Sequence, residues 1–115
     1  MSRHHSLDYV EFTSPDPSAT GLFLSEAFGW RTAEYGPDYV GFEDGEEAHE
    51  AGGVARGENA APLAIVYSAD LEATEASVVA AGGVVVTPIF AFPGGRRFVF
   101  RDPAGVTMAV WSDAT

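Results

Sequence analysis

The chain contains no cysteine and no lysine. Without a thiol there is no disulfide framework, no thiolate zinc site and no cysteine nucleophile. Without lysine, the only strong cations are six arginines, set against 17 acidic residues for a formal net charge of -11. A surface of that sign repels phosphate backbones and anionic lipid, so neither nucleic acid nor a membrane is an expected partner. Long apolar runs are also missing, and none approaches the roughly 20 residues that cross a bilayer. No apolar segment follows Met1-Ser2-Arg3-His4-His5, which points away from a secretory signal and toward a cytoplasmic protein. Histidine is scarce, with only His4, His5 and His49. That is too little to build a credible Ser-His-Asp arrangement. No phosphate-cradling glycine loop precedes a helix either.

What is present suits one small globular domain. The 115 residues are 46% hydrophobic and 20% charged, enough to build a core without covalent staples. The acids are unevenly spread, 12 before residue 60 and 5 after it. Glu43, Asp44, Glu46, Glu47 and Glu50 gather around Gly45 and read as a solvated turn. A calcium loop would need acids at alternate positions and a glutamate at the twelfth.

The chain repeats itself. Ser14, Asp16, Ala19, Thr20 and Gly29 recur as Ser68, Asp70, Ala73, Thr74 and Gly83, all at an offset of 54. Each copy opens on an alternating strand pattern, Tyr9–Thr13 in the first and Leu63–Tyr67 in the second. Asp16 and Asp70 read as helix N-caps, the first followed by Pro17 at the opening helical position. The helices are predicted to run to about Phe28 and Gly82, with Gly29 and Gly83 in the left-handed C-terminal position. Ala19, Leu22, Phe23 and Ala27 form the apolar stripe expected to face the core. His4 and His5 fall in an N-terminal segment expected to fray.

Three further strands follow in each copy. They are Trp30–Tyr35, Tyr39–Glu43 and roughly Glu50–Arg56, then Val84–Phe90, Arg96–Arg101 and Val106–Ser112. Turn chemistry separates them at Pro37-Asp38, Asp44-Gly45, Gly94-Gly95 and Asp102-Pro103-Ala104-Gly105. The expected fold is α+β: two tandem βαβββ modules, about 8–56 and 62–112, forming a cupped mixed sheet with a cleft. One helix can cover only one face of each sheet, so the other must be covered or line a cavity.

The run Asp16-Pro17, Phe23-Leu24 and Phe28-Gly29-Trp30 resembles the vicinal oxygen chelate superfamily of glyoxalases, bleomycin-resistance proteins and extradiol dioxygenases. So do Tyr39-Val40, Gly52-Gly53-Val54, Asp70-Leu71-Glu72-Ala73, Gly82-Gly83, Gly95-Arg96 and Asp102-Pro103-Ala104-Gly105. The resemblance spans about residues 8–112. It implies a paired-module fold, a homodimer and, in the enzymes, a divalent ion held by His and Glu side chains. Aligned on the helix caps and on Asp102-Pro103, the ligand positions fall on Tyr9, Leu63 and Ala109. Leucine and alanine donate nothing to a metal, and neutral tyrosine is a poor ligand. The fourth position lies near Glu50–Arg56, in a register the sequence does not set. The resemblance therefore implies a member without bound metal or cofactor.

Strand alternation then puts Tyr9, Glu11 and Thr13 on the cleft face, with Val10 and Phe12 against the helix. Leu63, Ile65 and Tyr67 face the cleft from the second copy, and Thr107, Ala109 and Trp111 from the last strand. Such a pocket is apolar and aromatic with one carboxylate, suited to a planar or amphipathic ligand. Desolvation disfavours a charged carboxylate, which would suit Glu11 to accept a proton or to counter a cation. The first reading is a metal-independent protein that binds a small organic molecule and sequesters an aromatic or cationic compound. The second is a metal-independent lyase, isomerase or epimerase with Glu11 as base and Tyr9 or Tyr67 donating to a developing enolate. The third is an interaction module with a closed cleft. Packing at the sheet centre or an interface accounts equally for Tyr9, Tyr67 and Trp111, and a structural ion pair with Arg97 or Arg101 accounts for Glu11.

Overall fold

The computed structural model describes residues 2–45, 49–58 and 60–114. Its elements are β1 (Ser6–Ser14), α1 (Pro17–Phe28), β2 (Arg31–Glu34), β3 (Tyr39–Glu43) and β4 (Gly52–Arg56), then β5 (Leu63–Tyr67), α2 (Leu71–Ala80), β6 (Val84–Phe92), β7 (Gly95–Arg101) and β8 (Thr107–Ser112). Two compact units emerge: Tyr9–Pro62, and Leu63–Thr115 together with Met1–Asp8. In the first, the strand order is β2-β3-β4-β1; in the second it is β6-β7-β8-β5. The pairings match as well. β1 lies parallel to β4 and β5 parallel to β8, while the remaining neighbours are antiparallel. The fold is α+β, built of two βαβββ modules.

The 54-residue repeat encodes one hydrogen-bonded device used twice. Asp16 Oδ1 accepts from the Ala19 amide and Asp70 Oδ1 from the Ala73 amide, each at 3.1 Å. Ser14 and Ser68 accept from the Asp16 and Asp70 amides, each at 3.0 Å. The same hydroxyls reach Thr20 at 2.8 Å and Thr74 at 2.7 Å. The repeated serine and aspartate thus each satisfy an amide donor at a helix start.

Four expectations change. The α1 stripe of Ala19, Leu22, Phe23 and Ala27 is exposed, with Leu22 and Phe23 at 60% and 61%. The helix instead turns Pro17 and Gly21 inward, and a Cβ on Gly21 would come within 2.9 Å of Val40 Cγ1. Close approach to β3 selects the smallest residue there, not the largest apolar ones. At the second helix, the left-handed residue is Gly82 (φ 98°) and not Gly83. Gly82 N–H donates to Val79 O and Gly83 N–H to Val78 O, the paired bonds that close a Schellman turn.

The N-terminal segment is anchored. His5 N–H donates to Tyr67 O at 2.7 Å, His5 Nε2 lies 2.8 Å from Thr74 Oγ1, and the Ala69 amide donates to His4 Nδ1 at 2.9 Å. These bonds join residues 4 and 5 to the start of α2 and explain why Met1–Asp8 groups with the second unit. The fourth change concerns Glu50, which lies outside β4 and bonds two tyrosines rather than sitting in a solvated turn. Glu46 and Glu47, also assigned to that turn, lie outside the described residues.

The Asp102-Pro103-Ala104-Gly105 turn is self-contained. Asp102 Oδ1 accepts from the Ala104 and Val106 amides at 2.8 and 2.9 Å, and Gly105 adopts φ 93°. In the second unit the core forms where Leu71 of α2 meets Phe98 and Val110, flanked by Val66, Val78, Ile89 and Phe100.

Candidate functional site

Register fixes which side chains share a face. In the first unit Val40 and Phe12 both pair with Val54 and lie on the α1 side, where Gly21 meets Val40. Alternation puts Tyr9, Glu11, Tyr39, Gly41 and Gly53 on the opposite face. Glu11 pairs with Gly53 and Gly53 with Gly41, so two glycines stand side by side at the middle of that face. A Cβ on Gly41 would overlap the Glu50 carboxylate, and one on Gly53 would overlap the end of the Tyr39 ring. These two side chains lie flat over a floor that only glycine leaves open.

A linked array results. Tyr39 Oη donates to Glu11 Oε2 at 3.0 Å. Tyr9 Oη donates to Glu50 Oε1 at 2.9 Å, and Tyr35 Oη to Glu50 Oε2 at 2.6 Å. The Tyr9 and Tyr39 hydroxyls lie 2.8 Å apart. Three phenolic protons serve these four oxygen–oxygen contacts, so when Tyr9 and Tyr39 both donate to carboxylates neither proton lies between their hydroxyls. Beside it, a notch of about 60 Å3 is bordered by Tyr35, Gly41 and Glu50.

The phenols hold their protons tightly. Burial, then the Tyr39 hydrogen bond and the neighbouring charges of Tyr39 and Glu50, push the Tyr9 phenol far above its ordinary value. Burial also raises Tyr39, with the Glu11 charge adding to it and the Tyr9 hydrogen bond opposing it. For Tyr35 the hydrogen bond to Glu50 is the largest cause of an upward shift. At neutral pH these side chains are hydrogen-bond donors, not phenolates.

The other expected site residues fall as follows. Thr13 is half-buried, its methyl facing Gly57. In the second unit, Tyr67 and Trp111 pack edge to face at 5.4 Å. Tyr67 Oη donates to Asp113 Oδ1 at 2.5 Å and Trp111 Nε1 to Asp8 Oδ2 at 2.9 Å. Leu63 is half-buried, while Ile65 and Ala109 are 3% and 0% exposed, so they present no open surface in this chain. Glu50, Tyr35 and Tyr39 were missed as site residues. The signal available for them was the Gly52-Gly53 pair, which marks a strand that something lies against.

The sequence matches the Glyoxalase/Bleomycin resistance protein/Dioxygenase superfamily over residues 6–110. Among curated proteins none matches the chain. Among solved structures, the Mn(II)-bound glyoxalase of Novosphingobium aromaticivorans is similar, with 26% identity and a TM-score of 0.74 over 98% of this chain. Methylmalonyl-CoA epimerase of Mycobacterium tuberculosis shares the fold at 13% identity and a TM-score of 0.74, covering 100% of this chain and 92% of that one. An extradiol ring-cleaving dioxygenase from B. fuscum does so at 16% identity and a TM-score of 0.74, over 99% of this chain. This chain spans 40% of the glyoxalase's length and 34% of the dioxygenase's. No described helix is long and apolar enough to cross a membrane. With the match running from the first strand into the last, the chain belongs to the glyoxalase/bleomycin resistance protein/dioxygenase superfamily.

Proposed function

We propose that the chain is a metal-independent, small-molecule-binding protein that holds an aromatic or cationic compound against the Tyr9–Tyr39–Glu50–Glu11 array. The observation that carries this reading is the shared protons of the Tyr9–Tyr39 contact. Four contacts share three protons, so the array accepts a ligand bringing an N–H donor. A protonated amine on a flat apolar body supplies both the donor and a positive charge, attracted by a chain of net charge -11.

The donor set supports the metal-free part. Leu63 and Ala109 carry no ligand atoms, and Tyr9 is a neutral phenol committed to Glu50. Both Glu50 oxygens accept from phenols. A divalent ion needs deprotonated donors, and these residues do not fit one. Among the described residues, no three His, Asp or Glu side chains cluster as a metal site would require. A homodimer remains part of this reading, supported by the apolar surface that Leu22 and Phe23 leave exposed on α1.

The test is a charge-matched panel: an arylalkylamine, the corresponding alcohol and the corresponding carboxylate, each scored by the rise in melting temperature. The amine is expected to stabilise the wild type and to lose that effect in Glu11→Gln. If no amine stabilises the protein, the reading fails. If Glu11→Gln keeps affinity but abolishes turnover of a substrate, Glu11 is a catalytic base and the enzyme reading replaces this one.

A further inference from the structure

We infer that the first unit carries a second, separate ligand site, for a quaternary ammonium on an aromatic or compact apolar body, where the C-terminal end of α1 meets the β3 end. A surface cavity of about 320 Å3 opens there, lined by Phe28, Trp30, Arg31, Glu43 and Asp44 with Gly29 and Gly45. That volume lies within the range of small-molecule pockets, about 300–1,000 Å3.

Its walls are aromatic. Phe28 packs on Trp30 with ring centroids 5.2 Å apart, and Trp30 stacks on Phe42 at 5.2 Å with planes 14° apart. Phe42 holds Trp30 from the core side, being only 4% exposed. Phe28, by contrast, is 60% exposed, an unusual position for a phenylalanine that a neighbouring ring already orients. Phe28 and Trp30 both border the cavity, and an aromatic ring attracts a cation through its quadrupole.

The rim sets the sign of the charge. Arg31 Nε and Nη2 both bond Glu43 Oε1, at 3.0 and 2.8 Å, so that cation is matched by its own carboxylate. Asp44 is exposed and adds a negative charge, leaving the lining net anionic. An alkylated ammonium needs no hydrogen-bond acceptor, unlike the N–H donor proposed for the tyrosine–carboxylate array. The two sites therefore select different cations. Arg31 and Glu43 border both this cavity and the notch beside the array, whereas Gly41 and Glu50 border only the notch and Phe28, Trp30 and Asp44 only the cavity.

Two glycines line the cavity. Among the described residues, a Cβ at Gly29 or at Gly45 would meet nothing within 4 Å. Gly29 has φ 71° and resists substitution, whereas Gly45 has no positive φ and accepts a side chain without backbone strain. Gly45→Leu thus adds bulk at the cavity lining without backbone strain.

The experiment is an NMR titration reading the two tryptophan indole N–H signals, assigned with Trp111→Phe. The probes are benzyltrimethylammonium, benzyl alcohol and benzenesulfonate. The cation is expected to shift the Trp30 signal saturably, with a Kd on the order of 1 mM or tighter, and to leave Trp111 in place. Gly45→Leu should weaken it at least tenfold and Asp44→Asn about threefold. Glu11→Gln should leave it unchanged. Equal affinity for benzyl alcohol, a shift confined to Trp111, or wild-type affinity in both Gly45→Leu and Asp44→Asn would overturn the assignment. Loss of binding in Glu11→Gln would overturn it too, by moving the ligand to the array.

Discussion

Tyr9 and Glu50, 41 residues apart in the chain, meet at 2.9 Å through the phenol hydroxyl and Oε1. That contact closes the chain of oxygens running from Glu11 through Tyr39 and Tyr9 to Glu50 and Tyr35. It also places a neutral donor where the family resemblance puts a metal-binding histidine.

Removing either central hydroxyl should be felt. Tyr9→Phe leaves a part-buried carboxylate oxygen without its donor and is expected to cost about 1–2 kcal/mol in urea unfolding. Tyr39→Phe should cost a similar amount. Because the two hydroxyls are 2.8 Å apart, the double variant should lose less than the sum of the two. Strict additivity would show that the hydroxyls act independently and the array is not a unit.

The glycine floor makes a second prediction. In Gly41→Ala the new methyl meets the Glu50 carboxylate, and displacing it breaks its bonds to Tyr9 and Tyr35, so a loss of about 1–2 kcal/mol is expected. In Gly53→Ala the methyl meets the Tyr39 ring, held at both neighbours, and a loss of about 1–3 kcal/mol is expected. Both should weaken an amine at the array. Gly41→Ala with native stability and undiminished amine affinity would disconnect Glu50 from binding.

Alkaline pH supplies a third. All four tyrosines are raised above their ordinary range, Tyr9 and Tyr39 chiefly by burial, Tyr35 and Tyr67 chiefly by hydrogen bonds to Glu50 and Asp113. A raised phenol keeps its proton in the folded state while the unfolded chain releases it near pH 10, so the unfolded state binds fewer protons above that pH. Phenol ionisation should thus leave stability unchanged below pH 10 and reduce it as pH rises further. Absorbance at 295 nm should show phenolate appearing together with the loss of tertiary structure. A normal titration of three or more tyrosines in the folded protein would contradict the burial of Tyr9 and Tyr39.

Much of the fold was legible because local rules wrote it. Asp16 and Asp70 cap helices for the reason their spacing suggested, and Asp102 closes its turn with its own carboxylate. The α1 stripe misled because Leu22 and Phe23 carry the apolar bulk, whereas packing on β3 demanded Gly21, a steric fact invisible to periodicity. Tyr9 and Glu11 could be placed by alternation from one strand. Glu50, Tyr35 and Tyr39 could not, because their convergence depends on the register of three strands and on the floor made by Gly41 and Gly53.

The histidines near the start of the chain are structural by the same logic. His4→Ala/His5→Ala removes the acceptor of the Ala69 amide and the contact with Thr74. It should lower stability by about 1–2 kcal/mol and speed hydrogen exchange at Ala69. Unchanged exchange there would mean that the segment is not anchored to α2.

The most direct measurement is native mass spectrometry of the purified chain before and after incubation with Zn2+, Ni2+, Mn2+ and Fe2+, followed by an arylalkylamine. The proposal predicts no stoichiometric metal at any stage, one amine per array in the wild type, and none in Glu11→Gln. One metal per chain, bound tightly and required for any amine to be retained, would contradict it.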